Sequence, residues 1–274
     1  MQIRLLSLLL ISTALYSCGN AEQAKQEKAN QVDSLSFTNK GHELVYKMVE
    51  TVGNYQALSN KKDVVYTYQY KTPDGKEDVS TEKYIFDGEL SYGAYIKHDR
   101  TFPDLEGLIE QGYDGKEFWL KHKGEVVQDS VRLKRVAFNR PTNFYWFAMF
   151  QKMLDPGLTY ELLEDKAVGD SSYYVVRVGF EPTPNKASDI YQLYINKRTM
   201  LVDFFLFTVA DFGVLEEPYV MHLAYEEIDE ILIPSKRKYK KSTWDADTTA
   251  GEWILVNWTD IKFNQGLTKA DFSK

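Results

Sequence analysis

Cysteine occurs once in the 274 residues, at Cys18. A lone thiol forms no disulfide within its own chain, so stability has to come from core packing. Histidine is scarce as well. His42, His98, His122 and His222 lie far apart, and none has a second histidine at ligand spacing, so no metal centre is assigned. A nucleophile elbow, a phosphate-binding loop, a dinucleotide fingerprint and a zinc-binding helix motif are all missing. Accordingly no catalytic residue and no cofactor is assigned, and the chain is not read as an enzyme. Its longest apolar run, Leu5–Leu15, is too short to cross a bilayer. Positive charge is in deficit: 33 Lys and Arg stand against 40 Asp and Glu, for a net charge of −7. Such a balance argues against nucleic acid and against polybasic capture by anionic lipid.

What is present begins with an address. Met1-Gln2-Ile3-Arg4 carries one positive charge, and Leu5–Leu15 has the length of a secretory apolar region. Leu15-Tyr16-Ser17-Cys18 resembles the lipobox of bacterial lipoproteins, with a leucine, a tolerant position, a small residue and a cysteine. Tyr16 is bulkier than the usual occupant of its place. The resemblance implies that residues 1–17 are a signal peptide and that Cys18 is lipidated. Several acyl chains hold a protein firmly where one is marginal, so the chain is expected to be anchored to a membrane rather than to span it. The rival reading, a plain signal cut elsewhere, has to treat the position of the only cysteine as an accident. Gly19-Asn20 brings no acidic run directly after Cys18, which points to the cell envelope, at the outer membrane facing the periplasm.

Residues 18–38 are then the lipidated cysteine and a flexible tether. Gly19 to about Phe37 is polar and lacks a strand period. Some twenty such residues reach roughly 25 Å. Residues 39–274 are expected to form a single domain, since no composition break divides them. Of the charged residues only Arg4 lies in 1–17, so the mature chain moves from −7 to −8.

Thr38 or Asn39 can cap a helix through Val52, ended by Gly53-Asn54, with Leu44, Val45, Met48, Val49 and Val52 as its apolar stripe. From Asp63 the period becomes two. Val64, Tyr66, Tyr68 and Tyr70 share one face of a strand, and Thr72-Pro73-Asp74-Gly75 turns it back. Strands are expected at Val79–Phe86 and Leu90–Ile96, then a looser stretch to Gly112, then Phe118–Leu120. Ser130 caps a helix to Phe138, Pro141 breaks it, and Thr142 or Asn143 caps a second one through Leu154, stopped by Asp155-Pro156-Gly157. Further strands come at Thr159–Leu163, Tyr173–Phe180, Tyr191–Ile195, Leu201–Val209, Tyr219–Ile228, Ile231–Trp244 and Trp253–Phe263. About eleven strands and two or three helices make a mainly β, α+β protein: an antiparallel meander with no room for parallel crossovers.

Tyr113-Asp114-Gly115-Lys116-Glu117-Phe118-Trp119, Asn143-Phe144-Tyr145-Trp146 with Leu154-Asp155-Pro156-Gly157, and Tyr191-Gln192-Leu193-Tyr194-Ile195-Asn196 are similar to a family of uncharacterised Gram-negative lipoproteins. The layout, over about residues 40–265, resembles the half-barrel of the outer-membrane lipoprotein carrier superfamily. That resemblance implies an open, strongly curved antiparallel sheet wrapping an apolar helix, with a cavity for acyl chains beside it. The carrier is soluble, whereas this chain is expected to be tethered. No functional residue of the carrier is matched to a position here.

Candidate sites are few. Phe144–Leu154 is apolar nearly all round, so it is either buried core or the lid of a cavity that meets an apolar ligand. Phe144, Trp146, Phe147, Phe150 and Met153, with Tyr66, Tyr68 and Tyr70 opposite, are the candidate ligand-binding residues. Glu226, Glu227, Asp229 and Glu230 read as a solvated turn rather than an acid–base pair. Lys236, Lys238 and Lys240 share one face of a strand and Arg237, Tyr239 and Lys241 the other. That strand is expected to be an edge protected by lysine, or else a basic lip. The expected partners are a membrane, through the anchor, and a hydrophobic small molecule or lipid, with the oligomeric state open. A structural or interaction lipoprotein with a filled core is the alternative.

Overall fold

The computed structural model describes residues 36–182, 184, 187–248 and 251–274, and the side chain of Tyr55 is not among them. The expected signal peptide, the lipidation of Cys18 and nearly all of the tether fall outside those residues. Residues 1–38 and Asn39–Lys274 are separate units, and the helices and strands described here belong to the second.

Helix α1, Lys40–Val52, forms where the capping residue and apolar spacing placed it. The Asn39 side chain accepts from the amide of His42, and Gly53 ends the helix at φ 109, a conformation that favours glycine. Its stripe of Leu44, Val45, Met48, Val49 and Val52 is buried. A short helix α2, Tyr55–Ser59, comes next. Six strands then run as a meander: β1 Asp63–Lys71, β2 Glu77–Ile85, β3 Leu90–His98, β4 Ile109–Tyr113, β5 Phe118–His122 and β6 Glu125–Val126. Helix α3, Ser130–Lys152, interrupts them. A second meander comprises β7 Leu158–Leu162, β8 Lys166–Val168, β9 Ser171–Phe180, β10 Tyr191–Asn196, β11 Val202–Val209, β12 Val214–Ile228, β13 Ile231–Lys241 and β14 Ile254–Phe263.

Both meanders join in one sheet because the first strand pairs with the last. The order is β6-β5-β4-β3-β2-β1-β14-β13-β12-β11-β10-β9-β7, with β8 beside β9 and every pairing antiparallel. The end strands β6 and β7 do not pair, so the curved sheet stays open. This is the expected half-barrel around an apolar helix, with fourteen strands where about eleven were counted. The three unforeseen strands are β4, β6 and β8. Two of them are only two or three residues long, and β4 holds Gly112, which carries no side chain to mark a face.

Two local expectations are overturned. Pro141 does not break the helix: α3 is continuous, and its N-cap is Asp129, whose carboxylate accepts from the Arg132 amide at 2.8 Å. Proline removes one donor and leaves the Ala137 carbonyl without its usual partner. Contacts on either side outweigh that loss. Asn139 donates to Gln111 at 3.3 Å, Arg140 is paired with Glu82, and Phe144 is buried. Nor is Ile231–Lys241 an edge. β13 lies between β12 and β14, and its lysines mark only the solvent face.

The core divides along α3. Phe144, Phe147 and Ala148 face the β1, β2 and β14 side, where the Phe147 ring lies 5.1 Å from Tyr66 and 5.3 Å from Trp258. Met149, Phe150 and Met153 turn the other way and pack with α1 and the β9–β12 side. The core clusters among the described residues lie within Asn39–Lys274, so this unit carries its own stabilising contacts.

Candidate functional site

A third stripe of α3 touches neither half of the core along most of its length. Arg135, Phe138, Asn139, Thr142, Tyr145 and Trp146 recur at spacings of three and four, so one helical face carries all six. Between that face and the concave side of the sheet lies a cavity of about 830 Å³. It falls in the range of roughly 300–1,000 Å³ seen for small-molecule sites. The sheet side is aromatic. Tyr66, Tyr68 and Tyr70 point inward from β1, and antiparallel register places Trp258 opposite Tyr68 and Val256 opposite Tyr70 on β14. β13 adds Arg237 and Tyr239, with Arg237 opposite Val256. Phe207 of β11 and Tyr219 and Met221 of β12 continue the wall.

The expected ligand-binding residues therefore separate into two groups. Tyr66, Tyr68, Tyr70 and Trp146 line the cavity. Phe144, Phe147, Phe150 and Met153 do not; they are buried between helix and sheet. So α3 is both core and cavity wall, with different stripes for each.

The tyrosines are ordered by a hydrogen-bonded chain. Tyr66 and Tyr84 share a hydroxyl contact of 3.1 Å, Tyr84 donates to Glu82 at 2.9 Å, and Glu82 receives Arg140. Tyr70 is bonded to Tyr239. Among the described residues no hydrogen bond is made by the Tyr68 hydroxyl. Burial pushes the phenols of Tyr66, Tyr68, Tyr70 and Tyr239 above their ordinary range, so all stay protonated at neutral pH.

Three guanidinium groups reach the cavity; the sequence singles out only Arg237, on a strand read as a protected edge or else a basic lip, and gives Arg100 and Arg135 no role. Arg100 lies 4.1 Å from the Tyr70 ring centre and is paired with Asp78 at 3.3 Å. Arg135, half-buried, makes no hydrogen bond or ion pair among the described residues, and its Nε is buried without a partner. Burial first, and then the neighbouring charge of Arg100, lowers its pKa. Arg237 is only 6% exposed and lies over Trp258, 3.8 Å from the ring centre. It donates from Nε to the Pro234 carbonyl at 2.9 Å and from Nη2 to the Trp146 carbonyl at 2.8 Å, and so ties β13 to α3. No carboxylate pairs with it among the described residues. Burial pulls this guanidinium down to about 9, and it remains charged at neutral pH. One sequence signal pointed its way: Arg237 shares a strand face with Tyr239 and opposes the lysines on either side.

The remaining candidates hold no site. Glu226, Glu227, Asp229 and Glu230 are exposed around a tight turn, with Asp229 and Glu230 both at positive φ. His98 is bonded to the carbonyls of Phe102 and Gly107, His122 to that of Glu106, and His222 stacks on Phe204. Among the described residues no His, Cys, Asp and Glu group is arranged to hold a metal, and no helix is long and apolar enough to cross a membrane.

No known protein family and no curated protein matches the chain by sequence. Solved structures are similar. A LolA superfamily protein from Nitrosomonas europaea superposes with a TM-score of 0.50 over 86% of this chain and 99% of its own, at 14% identity. A DUF1329 family protein from Desulfovibrio piger gives 0.49 over 85% and 95%, at 12% identity. The lipoprotein LppX from Mycobacterium tuberculosis gives 0.34 over 82% and 97%, at 10% identity. At such identities the likeness is one of fold. The chain has the LolA-like half-barrel fold that its resemblance to the outer-membrane lipoprotein carriers implied.

Proposed function

We propose that this chain is a membrane-anchored lipoprotein that holds a hydrophobic ligand, a lipid or an acyl chain, between α3 and the concave face of its open sheet. One observation carries the reading: an aromatic-walled space of about 830 Å³ remains where the helix could have filled the sheet. A protein that works only through its outer surface gains nothing from a space of that size, because unfilled volume is destabilising. The half-barrel fold supports the same reading. On this view Cys18 is the lipidated residue, residues 19–38 are the tether, and the folded unit works in the cell envelope, at the outer membrane facing the periplasm. Ligand contacts come from Tyr66, Tyr68, Tyr70 and Trp146, with Phe144, Phe147, Phe150 and Met153 supporting them from behind.

The test uses residues 19–274, which contain the whole folded unit. Solvent extraction and mass spectrometry of the purified protein should recover lipid. Thr142→Trp, which places an indole in the cavity from α3, should reduce the amount while leaving the unfolding midpoint in place. A protein that carries no lipid and admits no apolar fluorophore sinks the proposal. The anchor is tested separately by feeding cells labelled palmitate: full-length protein should take up label and Cys18→Ser should not.

A further inference from the structure

The cavity is more positive than the molecule that surrounds it. The chain as a whole carries −7, yet Arg100, Arg135 and Arg237 line this one space. Two carboxylates also line it, Asp189 and Asp211, and neither is within ion-pair distance of those arginines among the described residues. Asp189 is occupied in accepting the Ala210 amide at 2.6 Å, and Asp211 is exposed. Asp78, the partner of Arg100, also receives the Arg100 amide at 2.9 Å and the Thr101 hydroxyl at 2.5 Å, so its charge is divided among several donors.

Arg237 is the group hardest to explain as scaffold. A buried guanidinium without a counter-charge is destabilising, and a methionine or leucine of like size would fill the space at less cost. Of its five donors, the two hydrogen bonds to backbone carbonyls use two. The Tyr68 hydroxyl, bonded to nothing among the described residues, lies on the same cavity wall. An arginine with free donors and a phenol with a free proton, on the wall of a largely apolar space, are matched by an oxyanion on an apolar chain.

We propose that the ligand is an anionic amphiphile, whose acidic headgroup is received by Arg237 and the Tyr68 hydroxyl in the field of Arg100 and Arg135, with its chain along the aromatic wall. The inference rests on the ligand-binding reading above and adds the charge of the ligand to it. A free fatty acid and a phospholipid both present such an oxyanion, as carboxylate or as phosphate.

Displacement of the uncharged fluorophore N-phenylnaphthylamine from residues 19–274 separates these cases, using matched pairs that differ in headgroup charge: oleate against oleyl alcohol, and dioleoylphosphatidylglycerol against dioleoylglycerol. In at least one pair the anion should bind about tenfold more tightly or better, as expected when a charged hydrogen bond forms away from water. The pair that shows the difference identifies carboxylate or phosphate as the source. Arg237→Met should abolish the difference, with the affinity ratio within each pair as the readout. Should that variant fail to fold, Arg135→Gln, which breaks no hydrogen bond or ion pair among the described residues, should narrow the difference several-fold. Equal affinity within both pairs overturns the headgroup inference and leaves the ligand-binding reading standing. If the fluorophore never enters, both fall together.

Discussion

Arg140 on α3 and Glu82 on β2 meet at 2.8 Å, and neither side chain is exposed at all. Around the pair the Tyr95 hydroxyl accepts from Arg140 at 3.0 Å and the Tyr84 hydroxyl donates to Glu82 at 2.9 Å. The pair fixes the middle of α3 to the sheet one residue before Pro141, at the point where the helix lacks a backbone donor. Removing one partner leaves the other charge buried alone. Glu82→Gln or Arg140→Met is therefore expected to lower stability by about 3–5 kcal/mol. Urea unfolding measures it, and a change below about 1 kcal/mol would show the pair to be solvated.

Glycine makes room for that pair. Gly93 stands opposite Glu82 in the β2–β3 register, and a Cβ there would lie 2.6 Å from Arg140 Nη1 and 2.7 Å from Glu82 Oε1. Gly93→Ala should destabilise by about 1–3 kcal/mol through overpacking. Gly112 serves Trp119 in the same way: a Cβ would lie 2.2 Å from the indole, which donates to the Phe272 carbonyl at 2.7 Å. Gly112→Ala should free that tryptophan, seen as a red shift of its emission. An unshifted spectrum with unchanged stability refutes the crowding.

The two faces of α3 should respond differently to truncation. Phe147→Ala empties a site ringed by Tyr66, Tyr84, Phe86, Trp258 and Phe263, and should lower stability by about 3–5 kcal/mol. On the cavity wall that the other face looks onto, Tyr68→Phe removes a hydroxyl with no hydrogen-bond partner among the described residues, so stability should stay within about 0.5 kcal/mol. Equal losses in the two variants would contradict the division between packed core and open cavity.

His222 predicts a pH effect. It lies between the Phe204 ring, stacked at 5.2 Å, and the edge of Trp253 at 5.2 Å, with Lys238 opposite on β13. Burial first, and then the Lys238 charge, holds the imidazole below its ordinary 6.5. Near that pH the unfolded chain binds more protons than the native one, so stability should fall as the pH drops below about 6.5 and level off once the folded imidazole is itself charged. His222→Gln should lose this part of the slope. Identical pH profiles for the two proteins would dispose of the idea.

Much of this architecture is legible in short-range pattern. The alternation of Tyr66, Tyr68 and Tyr70 gave their common face, the spacing from Leu44 to Val52 gave α1, and the turn residues gave most hairpins. Pairing between distant strands leaves no such trace. That β1 meets β14, and that β13 is therefore interior, comes from the joining of two meanders to each other, so Arg237 was grouped with edge lysines. The apolar helix shows why the cavity was harder to locate than the core. Its packed stripes and its open stripe all carry aromatics, and the open one is marked by Arg135, Asn139 and Thr142, polar residues that lie before the apolar run begins.

The unpaired ends of the sheet have a mechanical consequence. A closed barrel fixes its own girth, since widening it means breaking a ladder of hydrogen bonds. Here β6 and β7 are free of each other, so small changes of twist, shared along the row of strands, alter the span of the concavity while every ladder stays intact. On the proposed ligand-binding reading, that freedom would let the space accept ligands of different thickness at little energetic penalty.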